Sequence, residues 1–390
     1  MTDLERILPL WRELEAVQAD FVLATVVAVE GSCYRKPGAC MLLAPDGRRA
    51  GTVSGGCLEA QVASRAWWLT SNGPTVQRYS TVEEDGDRPY GSGCGGVVYL
   101  LLERRQTAGP LLAALEAAFD RRIPLAVATV LDGEQTGRRA FAGLPAVSSQ
   151  NLQTNGEPDD ARLEDLAETS LTSNQSMEKR ISIHGSEVRV WANFRPARPG
   201  LWIFGAGDDA GPLLSLAKEL GWFVAVADGR SQLATRERFP LADEVNVLQI
   251  QELPQRESAR THPAFAHLQP HDAAVILTHS FEQDSRILAS LLALNTSLAY
   301  IGVLGPQRRT RELLVEVARL RNLPPAPAST TAAWIERRLS QLHAPMGLDL
   351  GAESPETIAF SILAEIQQSF TAATAHPLRE VRSVAHATHG

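Results

Sequence analysis

Apolar residues near the start of the chain recur at helical spacing. Leu4, Ile7, Leu8, Trp11, Leu14 and Val17 share one face, which predicts an amphipathic helix over Leu4 to Val17. Phe21 to Val29 is short, rich in Val and Ala and bounded by Asp20 and Gly31, as a buried strand would be. Met41 to Leu43, the turn Pro45-Asp46-Gly47 and Gly51 to Val53 predict a hairpin. A helix is expected over Leu58 to Leu69, and strands over Thr75 to Tyr79, Val97 to Leu102 and Ile123 to Leu131. Residues 1–146 are thus read as a mixed α/β domain.

Over residues 147–180 the pattern fades into Ser, Thr, Asn, Gln and Glu. So few large apolar groups cannot offset chain entropy, and a polar linker is expected, with a short helix around Ala161 to Leu166. Glu187 to Phe194 alternates weakly and reads as an edge strand. The pattern then becomes regular: strand Leu201 to Phe204, helix Ala210 to Leu220, strand Phe223 to Ala227, a short strand near Val245, strand Ala273 to Thr278, helix Phe281 to Leu294, strand Leu298 to Val303 and helix Gln307 to Leu320. Such alternation predicts a parallel sheet with helices on both faces. Ser354-Pro355-Glu356 has the chemistry of a helix start, and Ile358, Ala359, Ile362, Leu363 and Ile366 form one stripe that docks the helix on the body. The fold class expected is α/β: an N-terminal mixed domain plus a C-terminal Rossmann-like doubly wound parallel sheet over residues 181–371. Residues 372–390 form a polar tail expected to be disordered.

Composition narrows the function. With 44% hydrophobic and 21% charged residues, the 390-residue chain can supply ample core. Lys and Arg number 37 against 45 Asp and Glu, a net charge of −8, which offers no broad basic face for nucleic acid. No apolar run approaches the roughly 18 residues of a membrane span. The start, Met-Thr-Asp-Leu-Glu-Arg, lacks a basic and then apolar leader, so a cytoplasmic protein is expected. The 4 cysteines, Cys33, Cys40, Cys57 and Cys94, lie in the first quarter of the chain with no Cys-x-x-Cys spacing.

Two constellations could carry chemistry. Gly205-Ala206-Gly207 follows a strand and opens a helix, and Asp228 ends the next strand, as in a dinucleotide fold where a carboxylate meets the ribose. Asp208 and Asp209 add negative charge beside that phosphate cradle or cap the helix. His279 follows a strand at the carboxyl edge where such sheets bind ligands. The second constellation joins Gly31 to Ala39, carrying Arg35 and Lys36, with Ser54-Gly55-Gly56-Cys57-Leu58-Glu59 and Cys94-Gly95-Gly96. Amides and cations suit an anionic ligand, and a thiolate suits a soft metal or nucleophilic chemistry. Cys57 and Glu59 fall at an expected helix start, where the dipole favours a thiolate. Trp67 and Trp68 are adjacent, so only one can face the core.

Arg35-Lys36-Pro37-Gly38-Ala39, Val53 to Glu59 and Cys94-Gly95-Gly96 resemble the N-terminal domain of the XdhC/CoxI family, accessory proteins of xanthine dehydrogenase and related molybdenum hydroxylases. Ile203 to Gly207, Val226 to Arg230, Leu277-Thr278-His279, Tyr300 to Gly305 with Arg308-Arg309, and Pro345 to Ala352 with Ser354-Pro355-Glu356 resemble its Rossmann domain. Asp208-Asp209 and Ser32-Cys33-Tyr34 depart from the family pattern.

The resemblance implies binding of the molybdenum cofactor, a molybdopterin, and its insertion into an apo-hydroxylase. It further implies a homodimer, with a cysteine desulfurase as a second partner. The binding residues would be Arg35, Lys36, Ser54, Gly55, Gly56, Cys57, Glu59, Cys94, Gly95 and Gly96, with Gly205, Gly207, Asp228 and His279 in the Rossmann cleft. Cys57 and Cys94 would meet molybdenum or its sulfur. No nucleophile–base pair is legible, so no turnover is expected. Two alternatives stay open: an NAD(P)-dependent oxidoreductase using Asp228 for the ribose and His279 as proton donor, and a structural adaptor.

Overall fold

The computed structural model describes residues 2–80, 96–145, 158–251, 253, 263–294, 297–325 and 329–381. The chain divides into two compact units, Met1–Arg198 and Pro199–Gly390.

In the first unit α1 (Asp3–Ala16) begins with a capping box: Thr2 accepts the Glu5 amide and the Glu5 carboxylate accepts the Thr2 amide. A five-stranded antiparallel sheet follows in the order β3-β2-β1-β5-β4, made of β1 (Val22–Glu30), β2 (Cys40–Leu43), β3 (Arg49–Gly51), β4 (Thr75–Ser80) and β5 (Val97–Arg104). Alternate β1 side chains serve two cores. Leu23 packs with α1 and α3 (Arg105–Arg121), while Val22, Ala24 and Val26 pack with α2 (Glu59–Leu69). Cover on both faces is why the strand reads as an unbroken apolar run. The hairpin closes two residues earlier than expected, at Arg49–Gly51. Helix α3 escaped the sequence pattern because Gly109 and Pro110 interrupt its periodicity.

A second antiparallel sheet, ordered β7-β6-β9-β8, is built from β6 (Leu125–Val130), β7 (Arg139–Ala142), β8 (Met177–Ile183) and β9 (Ser186–Arg195). Here the structure departs from the expected linker. Residues 147–157 lie outside the described set, but α4 (Pro158–Ser173) lays Leu163, Leu166 and Ala167 onto this sheet, and β8 follows at once. The expected edge strand is interior: β9 pairs with β6 from Leu125↔Arg195 to Val130↔Val190 and with β8 on its other side. Residues 181–198 therefore belong to the first unit rather than to the Rossmann-like part.

The second unit carries the expected parallel sheet, ordered β12-β11-β10-β13-β14, from β10 (Gly200–Phe204), β11 (Phe223–Asp228), β12 (Glu244–Val247), β13 (Ala273–Ile276) and β14 (Tyr300–Val303). α5 (Ala210–Glu219) and α9 (Pro355–Thr371) cover one face; α6 (Phe281–Leu291), α7 (Gln307–Leu320) and the unanticipated α8 (Ser329–Leu339) cover the other. Strand order reverses between β10 and β13, the switch point where such sheets open a crevice. Ser354 caps α9 with Pro355 as its first residue, as the sequence predicts. Glu365 of α9 accepts the Tyr300 hydroxyl and the Gly347 amide, each at 2.6 Å, and so anchors the helix to β14. Of the expected disordered tail, residues 372–381 are described and exposed, and 382–390 lie outside the described set.

Candidate functional site

The family-like loops of the first unit meet at one cleft of ≈ 830 Å³. Its walls include Arg35, Lys36, Ser54, Gly55 and Gly56, as the sequence reading expected, and also Asp3, Arg6, Tyr34 and Arg195, which it did not. Arg35 forms an ion pair with Asp3, while its Nε is buried with no hydrogen-bond partner among the described residues. Lys36 and Arg6 are exposed at the rim. Arg195, the last residue of β9, reaches the cleft and donates from Nη2 to the Gly38 carbonyl at 2.6 Å. The Tyr34 side chain is 73% exposed and its ring lies 3.7 Å from where a Cβ on Gly55 would stand.

The loop ahead of α2 is shaped from within by Glu59. Its Oε1 accepts the Val53 and Ser54 amides at 3.1 and 2.8 Å, and its Oε2 accepts the Ser54 hydroxyl at 2.6 Å. Ser54 Oγ in turn accepts the Gly56 and Leu58 amides, both at 3.1 Å. Burial to 4% exposure pushes the Glu59 carboxyl up, and the Ser54 hydroxyl and the two amides outweigh it, so the group ends below the ordinary carboxylate range. With every one of these bonds pointing into the loop, Glu59 acts as its organiser, and the Gly56 amide is turned inward rather than toward a ligand.

Cys57 donates to Ser54 Oγ at 3.5 Å and packs partly into the core under α2. Cys33 donates to the carbonyls of Val97 and Glu30, and Cys40 to that of Gly38. A Cβ on Gly96 would sit 2.5 Å from Cys33 Sγ and 2.6 Å from the Ser32 carbonyl, so this glycine is required by a close approach of two loops. Cys94 and Gly95 lie outside the described residues. Among the described residues no group of three or more His, Cys, Asp or Glu side chains converges to hold a metal.

At the switch point of the second unit Gly205 has φ +132, and a Cβ there would stand 2.5 Å from the Leu277 carbonyl, so the β10 exit needs glycine. Asp228 is fully buried. It accepts the Ala206 amide at 2.7 Å, the Arg230 amide at 2.8 Å and the Arg230 guanidinium at 2.9 and 2.7 Å. Burial raises its pKa, and the Arg230 guanidinium with the two amides lowers it further than burial raises it. The carboxylate expected for a ribose is thus spent on the glycine loop and Arg230. His279, itself at φ +60, lies 3.0 Å from Asp209 Oδ2, and Arg238 pairs with Asp208 at 3.0 Å. Asp209 precedes α5 without capping it. Arg309 pairs with buried Asp284 at 2.6 Å, whereas Arg308 is exposed. Trp67 stacks under Arg104 while Trp68 is exposed.

Each unit is matched by a model of known proteins. A model of the XdhC and CoxI family matches residues 14–80, and one of the XdhC Rossmann domain matches residues 201–366. A probable xanthine dehydrogenase subunit of Bacillus subtilis (strain 168) is 32% identical over 359 residues, covering 90% of this chain and 94% of that protein. The chain belongs to the XdhC and CoxI family. Another relative, the molybdenum cofactor insertion chaperone PaoD of Escherichia coli (strain K12), is 24% identical over 354 residues, covering 88% of this chain and 82% of its own length. The crystal structure of a xanthine dehydrogenase from Bacillus halodurans matches with a TM-score of 0.66 at 28% identity, covering 96% of this chain and 97% of that one. The family assignment, the Rossmann domain and the mixed α/β class expected from the sequence all hold.

Proposed function

We propose that this chain is a maturation accessory protein that holds the molybdenum cofactor and passes it to a xanthine dehydrogenase-type apoenzyme. One observation carries the reading. The loops bearing the family's N-terminal motif enclose a cleft of ≈ 830 Å³, whose described walls set Arg6, Arg35, Lys36 and Arg195 against the carboxylate of Asp3. That volume is in the range of small-molecule sites, and its cations run against the chain's net charge of −8. The buried Arg35 Nε, unpartnered among the described residues, fits an anionic ligand such as a phosphate-bearing pterin. A relative named as a molybdenum cofactor insertion chaperone supports the same class. On this reading the Cys57 thiol supplies a soft ligand beside the cleft, a cysteine desulfurase delivers sulfur, and the protein works as a homodimer.

The nicotinamide reading finds less support. An NAD(P) ribose would have to displace Arg230 from Asp228, and its pyrophosphate would meet Asp208 and Asp209.

The test is to purify the protein from hosts with and without cofactor synthesis, measure bound molybdenum and oxidised pterin, and add each preparation to apo-hydroxylase. Cofactor-dependent activation is expected, and Cys57→Ser should retain less molybdenum with unchanged melting. Absence of bound molybdenum and pterin, or a steady NAD(P)H-linked turnover by the protein alone, overturns the proposal.

A further inference from the structure

Four cations among the described residues line the cleft of the first unit, and they come from three separate parts of the chain. Arg6 stands in the first turns of α1, Arg35 and Lys36 on the loop after β1, and Arg195 at the end of β9. Convergence of like charges is unfavourable unless an anion joins them. The described part of the cleft offers one internal anion, Asp3, the first residue of α1. An acid there favours the helix dipole wherever it points; here it is turned onto Arg35. Arg35 still keeps one buried N–H without an acceptor among the described residues, so among these Asp3 satisfies the guanidinium only in part. A tetrahedral anion with several acceptor oxygens can serve more of these donors at once than one carboxylate can.

We propose that the cleft grips its ligand by a phosphate group, as a phosphomonoester or pyrophosphate seated among Arg6, Arg35, Lys36 and Arg195, and that the Asp3 carboxylate is a built-in counterion which this phosphate replaces. The inference rests on the cofactor-holding reading above and names the part of the ligand that the cleft recognises. Asp3 then sets affinity in both directions. It keeps the cations together when no ligand is bound, and it competes with the incoming phosphate, so a moderate grip allows release of cargo to a partner.

The experiment is a calorimetric titration of the full chain with inorganic phosphate and pyrophosphate at low salt, with bound molybdenum measured on the same preparations. Lys36→Gln and Arg6→Gln, both at exposed positions, should each weaken anion binding by about 3- to 10-fold, as loss of one partly solvated charge does. Asp3→Asn keeps the shape, removes the competing charge and should tighten binding by about the same factor. Binding should also weaken as salt rises. If the unaltered protein takes up no more phosphate than the Arg6→Gln/Lys36→Gln double variant, or if Asp3→Asn weakens binding while melting is unchanged, the phosphate seat is overturned. A protein that carries molybdenum yet shows no phosphate seat leaves the proposed function standing and removes this inference. Phosphate binding that follows the charges in a protein without molybdenum does the reverse.

Discussion

Glu59 shows how a residue that looks like a ligand in the sequence can act one step behind the ligand. The pattern Ser54-Gly55-Gly56-Cys57-Leu58-Glu59 marks a turn into a helix, but spacing alone does not say that the carboxylate folds back onto the Val53 and Ser54 amides. Its effect on stability follows from the direction of its shift. The folded-state pKa lies below the unfolded value, so the stabilisation is present at neutral pH and is lost as pH falls through the acid range below the ordinary carboxylate value. Glu59→Gln should therefore cost about 2 kcal/mol at pH 7, the scale of hydrogen bonds to a buried charge. The gap to the unaltered protein should narrow in acid, as read by denaturant melts at both pH values. Arg35 and Lys36 were legible because they sit in a motif. Arg195 was not: it lies on a strand the sequence showed only faintly, and strand pairing, rather than proximity in the chain, brings it to Gly38.

At the scale of elements, legibility followed burial. The three central strands of the parallel sheet, β11, β10 and β13, are covered on both faces, read as apolar runs, and were placed to within a residue or two. Helix α4 was legible only as a short helix around Ala161 to Leu166, and strand β8 was not legible, because each offers the core a narrow strip. α4 buries Leu163, Leu166 and Ala167 amid exposed acids, and β8 is an edge strand that buries only Ile183 and exposes Glu178, Lys179 and Arg180. β9 alternates because Val188, Val190 and Ala192 face α4 while Trp191 packs on the other side. The glycine loop after β10 was legible as a motif, yet its role here is first of all steric. Gly205→Ala would force a Cβ against the Leu277 backbone from a φ of +132, and it should cost about 2–4 kcal/mol through strain and overpacking. Thermal melts should show this loss whether or not a nucleotide is present. A loss that appears only as weaker nucleotide binding would mean that the glycine serves a ligand rather than the fold.

For the whole molecule, the boundary between units decides which residues can form the cleft. The polar stretch after residue 146 looks like a linker by composition, yet the chain beyond it returns to complete the sheet begun by β6. All six residues of β6 are buried; the strand pairs with β7 and β9, and Ala126, Ala128 and Val130 pack against α4. A fragment ending at residue 146 would keep β6 and β7 but lose α4, β8 and β9, exposing an apolar sheet face and an unpaired strand edge. It would also lose Arg195 from the cleft. A fragment ending at Arg198 keeps both antiparallel sheets and every cation of the proposed phosphate seat. The longer fragment should melt cooperatively and bind pyrophosphate within about threefold of the full chain, since the lining charges are all present. The shorter should aggregate or melt without a transition. If the shorter fragment instead folds and binds pyrophosphate as well as the longer one, the second sheet is dispensable to the cleft and Arg195 has no share in holding the anion.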